Sequence, residues 1–166
     1  NENTQYPELH TRIGVHSGQM VVGNLGSAKR FDYTAIGDSV NLAARLEGLN
    51  KYFGTDILFS ANVKDKLTGS YRICALGKVA VKGKSEVVEV STILPHDVSK
   101  EDEGTWNEAL ILFHGSDWDK SEEAFKSLLM KKSYFMKSAQ LYLQQIPYRK
   151  LTGTDDWQGE IAFEVK

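Results

Sequence analysis

The chain has 166 residues, 41% of them apolar, and 20 basic against 22 acidic side chains give a formal charge of −2. That suffices for one ordinary domain or two small ones with a buried core, and the near balance removes any electrostatic reason to expect nucleic acid or an anionic membrane as partner. The single cysteine, Cys74, excludes an intramolecular disulfide and reads as a small buried hydrophobe in a reducing compartment, by default the cytosol. No apolar run approaches the roughly 18 residues that cross a bilayer, and the polar stretch 1–7 lacks the zones of a signal peptide.

In chain order, Leu9, Thr11, Ile13 and Val15 alternate with His10, Arg12, Gly14 and His16, the period of a half-buried strand ending near Ser17-Gly18. A second strand is predicted over 19–24 and, after the polar turn around Lys29-Arg30, a third over 31–36. Gly37-Asp38-Ser39 supplies turn and cap residues, with Asp38 read as a helix cap rather than a metal ligand. Leu42, Leu46 and Leu49 then recur at helical spacing until Gly54, which predicts a helix over 39–51. A strand over 56–59, a short helix over 60–67, and a hairpin formed by 71–81 and 87–94 around Lys82-Gly83-Lys84-Ser85 complete a region whose alternation is α/β or α+β.

The polar stretch 95–104 carries no apolar periodicity and reads as a linker, placing domains at 1–97 and 105–166 with 98–104 between them. Beyond it Trp106, Ala109, Leu110 and Phe113, then Trp118, Phe125, Leu128 and Leu129, then Phe135, Ala139, Leu141 and Tyr142 recur at helical spacing, so two or three antiparallel helices are predicted. Trp106, Trp118 and Phe125 read as their shared core rather than as a ligand cage. Residues 1–97 carry 11 basic and 10 acidic side chains, residues 98–166 carry 9 and 12. The basic groups of the first region are therefore not diluted by excess acid.

Asn41 and Arg45 lie four apart on the predicted helix and share a face turned about 100° from the leucine stripe. An amide orients an oxygen, and a guanidinium offers forked donors to developing phosphoryl charge, so the pair suits a site handling ribose and phosphate. Gly23 and Gly26 read as turn glycines, since no Gly-Lys-Ser/Thr follows them as a P-loop requires. His16 has no second ligand at metal spacing and reads as structural.

The string Tyr33-Thr34-Ala35-Ile36-Gly37-Asp38-Ser39-Val40-Asn41-Leu42-Ala43-Ala44-Arg45-Leu46-Glu47 closely resembles the signature of class III adenylate and guanylate cyclases. Arg12-Ile13-Gly14-Val15-His16-Ser17-Gly18 and Val22-Gly23-Asn24-Leu25-Gly26 resemble that family's strand pair, and Val81-Lys82-Gly83-Lys84 its final hairpin. The resemblance covers 9–94 and implies an α+β, ferredoxin-like class III nucleotide cyclase fold, present in part and followed by an α-helical hairpin region. It implies that Asn41 positions the ribose, Arg45 stabilises the pentavalent phosphorus, Lys82 holds the triphosphate and Thr34 reads the purine. A Thr there resembles a subgroup, including bicarbonate-responsive cyclases, that chooses adenine, so ATP is the expected substrate and cyclic AMP the product.

In this family two Mg²⁺ or Mn²⁺ ions are held by aspartates of the first half of the domain, ahead of the strand around Ile13. Those aspartates and the purine-reading lysine are not in this sequence, and Asp32 and Asp38 fall outside the matching positions. The expectation is a fragment carrying the Asn/Arg/Lys half of a site formed between two domains, inactive alone and completed by a homodimer or another cyclase domain. Exposed sheet edge and core left where the first half belongs should drive dimerisation or strand exchange. Residues 105–166 resemble a tetratricopeptide-like unit, with Ala109, Ser121, Phe125 and Leu128 at its small and large positions. Asp155-Asp156-Trp157-Gln158-Gly159 resembles the ending of some bacterial multidomain cyclases, in which a sensor and membrane helices precede the catalytic domain. The alternative is a non-catalytic, cyclase-like nucleotide-binding or dimerisation module with the tail as docking surface.

Overall fold

The computed structural model describes residues 9–27, 30–81, 87–153 and 157–163. Strand β1 (Ile13–Val15) is followed by a two-stranded hairpin, β2 (Val21–Ser27) and β3 (Arg30–Ile36), which forms a sheet of its own. Gly23 and Gly26, expected in turns, are strand residues of β2: the ladder from Val21↔Ile36 to Ser27↔Arg30 runs through both. A glycine weakens a strand without ending it, and the partner strand overrides local propensity.

Helix α1 (Asp38–Phe53) buries Leu42, Leu46, Leu49 and Phe53, each contributing about 1.5–3 kcal/mol. It starts one residue earlier than its leucine pattern predicts, and Asp38 is not its cap. Gly37 holds that place with no side-chain cap bond, so the Asp38 carboxylate sits in the first turn, against the positive end of the helix dipole. Gly54, in the left-handed conformation (φ 74°), ends the helix and donates its N–H to Asn50 O at 2.8 Å.

Strand β4 (Ile57–Ser60), a one-turn helix α2 (Ala61–Lys64), β5 (Ile73–Val81) and β6 (Val87–Ile93) follow. α2 is shorter than expected because Ser60 makes no cap bond; its hydroxyl is 2.7 Å from His16 Nδ1 instead. The turn Lys82-Gly83-Lys84-Ser85 and the pair Ala28-Lys29 lie outside the described residues. The main sheet runs β1-β4-β6-β5-β7, parallel at its two ends and antiparallel between them. The mixed composition is α+β, one of the two classes the strand and helix pattern leaves open and the one the resemblance implies.

The tail supplies α3 (Lys100–His114), α4 (Trp118–Met130) and α5 (Met136–Thr152), then strand β7 (Glu160–Phe163). Residues 100–104, read as linker, are instead the first turn of α3. Ser99 Oγ accepts from Asp102 N at 3.0 Å, and Glu101, Asp102 and Glu103 meet the helix's positive end. Charge at a helix start has no reason to show apolar periodicity, so the polar run concealed the turn. β7, not anticipated, pairs in parallel with Lys78–Val81 of β5.

One core unites sheet, α1 and tail, from Leu46 and Leu58 to Trp106, Phe125 and Ile161. The Trp106 indole stacks on Phe135 at 5.0 Å and donates Nε1–H to Ala75 O at 2.9 Å. At the β5 bulge Tyr142 donates to Leu76 O at 2.7 Å. Gly77 beside it has φ +112°, and an added Cβ would strike the Tyr142 oxygen. Cys74 is buried, and burial chiefly, then Glu103, pushes its thiol up to about 12. Among the described residues no helix is long and apolar enough to cross a membrane.

Candidate functional site

The chain passes from β3 into α1 through Gly37, whose φ of 145° an L side chain rarely adopts. That turn sets Thr34, exposed on β3 opposite Gly23, and the first two turns of α1 on either side of one junction. Asn41 is exposed and Arg45 half-buried. Their helix faces outward because Leu42, Leu46 and Leu49 face inward. Among the described residues neither the Asn41 amide nor the Arg45 guanidinium has a hydrogen-bond or ion-pair partner.

The turn that carries Arg45 is seated on β1. A Cβ at Gly14 would collide with Ala43 O and Glu47 N, so only glycine lets the strand pass this close beneath the helix. Asn50, fully buried, donates its amide to Ile13 O on β1 at 3.1 Å and to Glu47 O at 3.1 Å, and its Oδ1 accepts from Thr55 Oγ1 at 2.7 Å. Arg12 and Glu47 close a half-exposed ion pair at 3.3 Å, which adds little. The sequence reading missed this seat. Its signals were a glycine inside a strand pattern and a polar residue, Asn50, beside Leu46, Leu49 and Phe53 on the apolar stripe.

The structure brings Thr34, Asn41 and Arg45 to consecutive elements, whereas Lys82 lies outside the described residues. None of the three lines either of the two cavities that follow. One cavity of about 510 Å³ is bounded by His16, Ser39, Leu42, Ser60 and Glu89 among others. A second, about 900 Å³, opens between β5, β6 and α3, with Lys78, Glu89, His114 and Trp157 in its wall. Burial first, then Lys78, holds His114 below its ordinary pKa of 6.5, against the opposing pull of Glu89. Among the described residues no group of three or more His, Cys, Asp or Glu is placed to hold a metal ion.

The β2–β3 hairpin beside this junction is apolar and uncovered: Val21, Val22, Phe31, Tyr33 and Ile36 are exposed, Tyr33 to 77%. Leu9, Ile13 and Val15 are exposed along and before β1, an edge strand of the main sheet. Each is an exposed apolar set, and the hairpin lies next to Asn41 and Arg45, which have no partner among the described residues.

The sequence profile of the adenylate and guanylate cyclase catalytic domain matches residues 1–93. The chain is 41% identical over 88 residues to Adenylate cyclase 1 of Rhizobium meliloti, an alignment covering 53% of this chain and 13% of that protein. It is 40% identical over 90 residues to an adenylate cyclase of Anabaena cylindrica, covering 52% and 18%. Among solved structures, the adenylyl cyclase CyaB from P. aeruginosa aligns at 33% identity with a TM-score of 0.44, over 53% of this chain and 45% of that one. This chain thus spans less than a fifth of the length of these two curated relatives. The match over 1–93 takes in both the Thr34–Arg45 junction and its β1 seat, and the chain belongs to the adenylate and guanylate cyclase catalytic domain family.

Proposed function

We propose that the chain supplies the Asn41, Arg45 and Lys82 half of an adenylate cyclase site whose other half comes from a second cyclase domain. The reaction is attack of the ATP ribose 3′-oxygen on the α-phosphorus, in line with departure of pyrophosphate, to give cyclic AMP. Asn41 orients the ribose, and Arg45 places its guanidinium against the charge that grows on the pentavalent phosphorus. Lys82 meets the triphosphate and Thr34 the adenine edge. The observation that carries the reading is the Asn41–Arg45 face, without a partner among the described residues, outside the two cavities described above and beside an exposed apolar hairpin. A surface of that kind is completed by another domain, a second copy or a cyclase with an intact first half.

The described residues do not fit a pair of divalent ions, so the reading assigns the ions to the other domain and routes no step through them here. The buried thiol of Cys74 suits a cytoplasmic setting. Residues 105–166 are read as a tetratricopeptide-like unit after the cyclase portion ending at 97. Close approach of α3 and α4 at small residues supports this, with Ser121 donating to Ala109 O at 3.0 Å.

The test is turnover of ATP and of GTP by this chain mixed with a cyclase domain that keeps its aspartates but has lost its own Asn and Arg. Cyclic AMP is expected from the mixture, and preference for GTP would overturn the role given to Thr34. Silence in a mixture shown to pair would leave a non-catalytic, cyclase-like dimerisation module.

A further inference from the structure

The C-terminal end of α1, the helix that carries Asn41 and Arg45, is gripped by the tail. The last carbonyls of a helix lack partners within it, and at a buried end something else must satisfy them. Here Ser138 of α5, itself 1% exposed, donates its hydroxyl to Phe53 O at 2.6 Å. Phe163 of β7 closes the other side, its ring 5.2 Å from Tyr52 and 6.0 Å from Phe53. β7 is in turn fixed to β5 by the register Lys78↔Glu160 to Val81↔Phe163. Its approach is pinned by Trp157, which donates to Glu160 O at 2.8 Å beneath the Arg149 guanidinium, 4.3 Å from the ring.

We infer that α5 and β7 are positioning elements of the nucleotide site: through Ser138 and Phe163 the tail sets the placement of α1, and with it the direction in which Asn41 and Arg45 project. The inference rests on the reading of α1 as the nucleotide-site helix. A helix is stiff over its length, so a grip at Phe53 is transmitted to the turns that carry Arg45. Transition-state contacts tolerate displacements of well under 1 Å, whereas a flexible triphosphate adapts more readily. The tail therefore governs kcat more than ATP affinity.

The experiment compares Ser138→Ala with Ser121→Ala in the full chain, mixed with the complementing domain. Both substitutions delete one buried hydroxyl of the tail, but Ser121 bonds to Ala109 O inside the tail and does not touch α1. Ser138→Ala should lower kcat on the order of tenfold with KM for ATP nearly unchanged, and Ser121→Ala should leave both alone. Equal losses from the two variants, or no loss from Ser138→Ala, would overturn the inference. A second readout needs no turnover: the distance between spin labels at exposed Ala44 on α1 and exposed Glu89 on β6, with buried Cys74 out of reach of the reagent. Ser138→Ala should shift or broaden that distance and Ser121→Ala should not. A shift in a chain whose unsubstituted mixture makes no cyclic AMP would sink the cyclase reading while leaving the grip of tail on helix intact. An unmoved distance would sink the grip itself.

Discussion

The tail and the first strands are both rich in apolar side chains, and they use them in opposite ways. Trp106, Phe113, Phe125, Phe135 and Tyr142 are all fully buried, whereas Val21, Phe31 and Tyr33 of the hairpin are exposed. The tail aromatics face one another and the sheet, with Phe113 and Tyr142 edge to face at 4.7 Å. Among the described residues the hairpin has two strands and no further strand to extend its sheet. Apolar content thus predicts burial only where the chain itself provides the second surface. Where it does not, the same content stays exposed, and the proposed pairing assigns that face to a second domain.

The comparison can be broken at several points. The largest effect is expected at Arg45, on the exposed side: Arg45→Ala in the completed assembly should lower kcat by about 10²–10³-fold with KM for ATP little changed, read by steady-state kinetics. An equal change in affinity would remove its transition-state role. On the buried side, Trp106→Ala deletes an indole stacked on Phe135 and bonded to Ala75 O, and should cost about 3–5 kcal/mol. Because the core is shared, sheet and tail should still melt in a single calorimetric transition. Two separated transitions would show that the tail is independent.

Phe31→Ser with Tyr33→Ser should alter monomer stability by no more than about 0.5 kcal/mol, since both rings are already in water. The same pair should abolish self-association or pairing in sedimentation, and undiminished association would contradict the interface. The smallest effect concerns His114, packed where a Cβ on Gly159 would collide with its ring. Its pKa lies below the ordinary 6.5 in the fold, so the unfolded chain binds the extra proton first. Its stabilising contribution is complete above that ordinary value and declines as pH falls below it toward the folded-state value. Urea melts between pH 7 and 5 should show that decline, reduced in His114→Gln.

Helix α1 was legible in the sequence because Leu42, Leu46 and Leu49 fix its inner face and thereby place Asn41 and Arg45 outside. The tail helices were legible for the same reason. Its first turn was not, because Glu101, Asp102 and Glu103 serve a helix start through charge rather than burial. β7 escaped because four residues give too little alternation to stand out, and its partner strand lies some 80 residues earlier in the chain. Gly14 and Asn50 carried a signal of close approach whose meaning depends on which element passes beneath them. The hairpin glycines misled in the other direction, since Gly23 and Gly26 look like turn residues until the ladder with β3 claims them.

The central claim is that this chain contributes one half of a shared site, and the rate of cyclic AMP formation across mixing ratios tests it most directly. Total concentration is held fixed while this chain is varied against the aspartate-retaining domain that lacks its own Asn and Arg. The account predicts no turnover at either end and a maximum near equal amounts. Turnover by this chain alone, or none at any ratio in a mixture proven to associate, would contradict it.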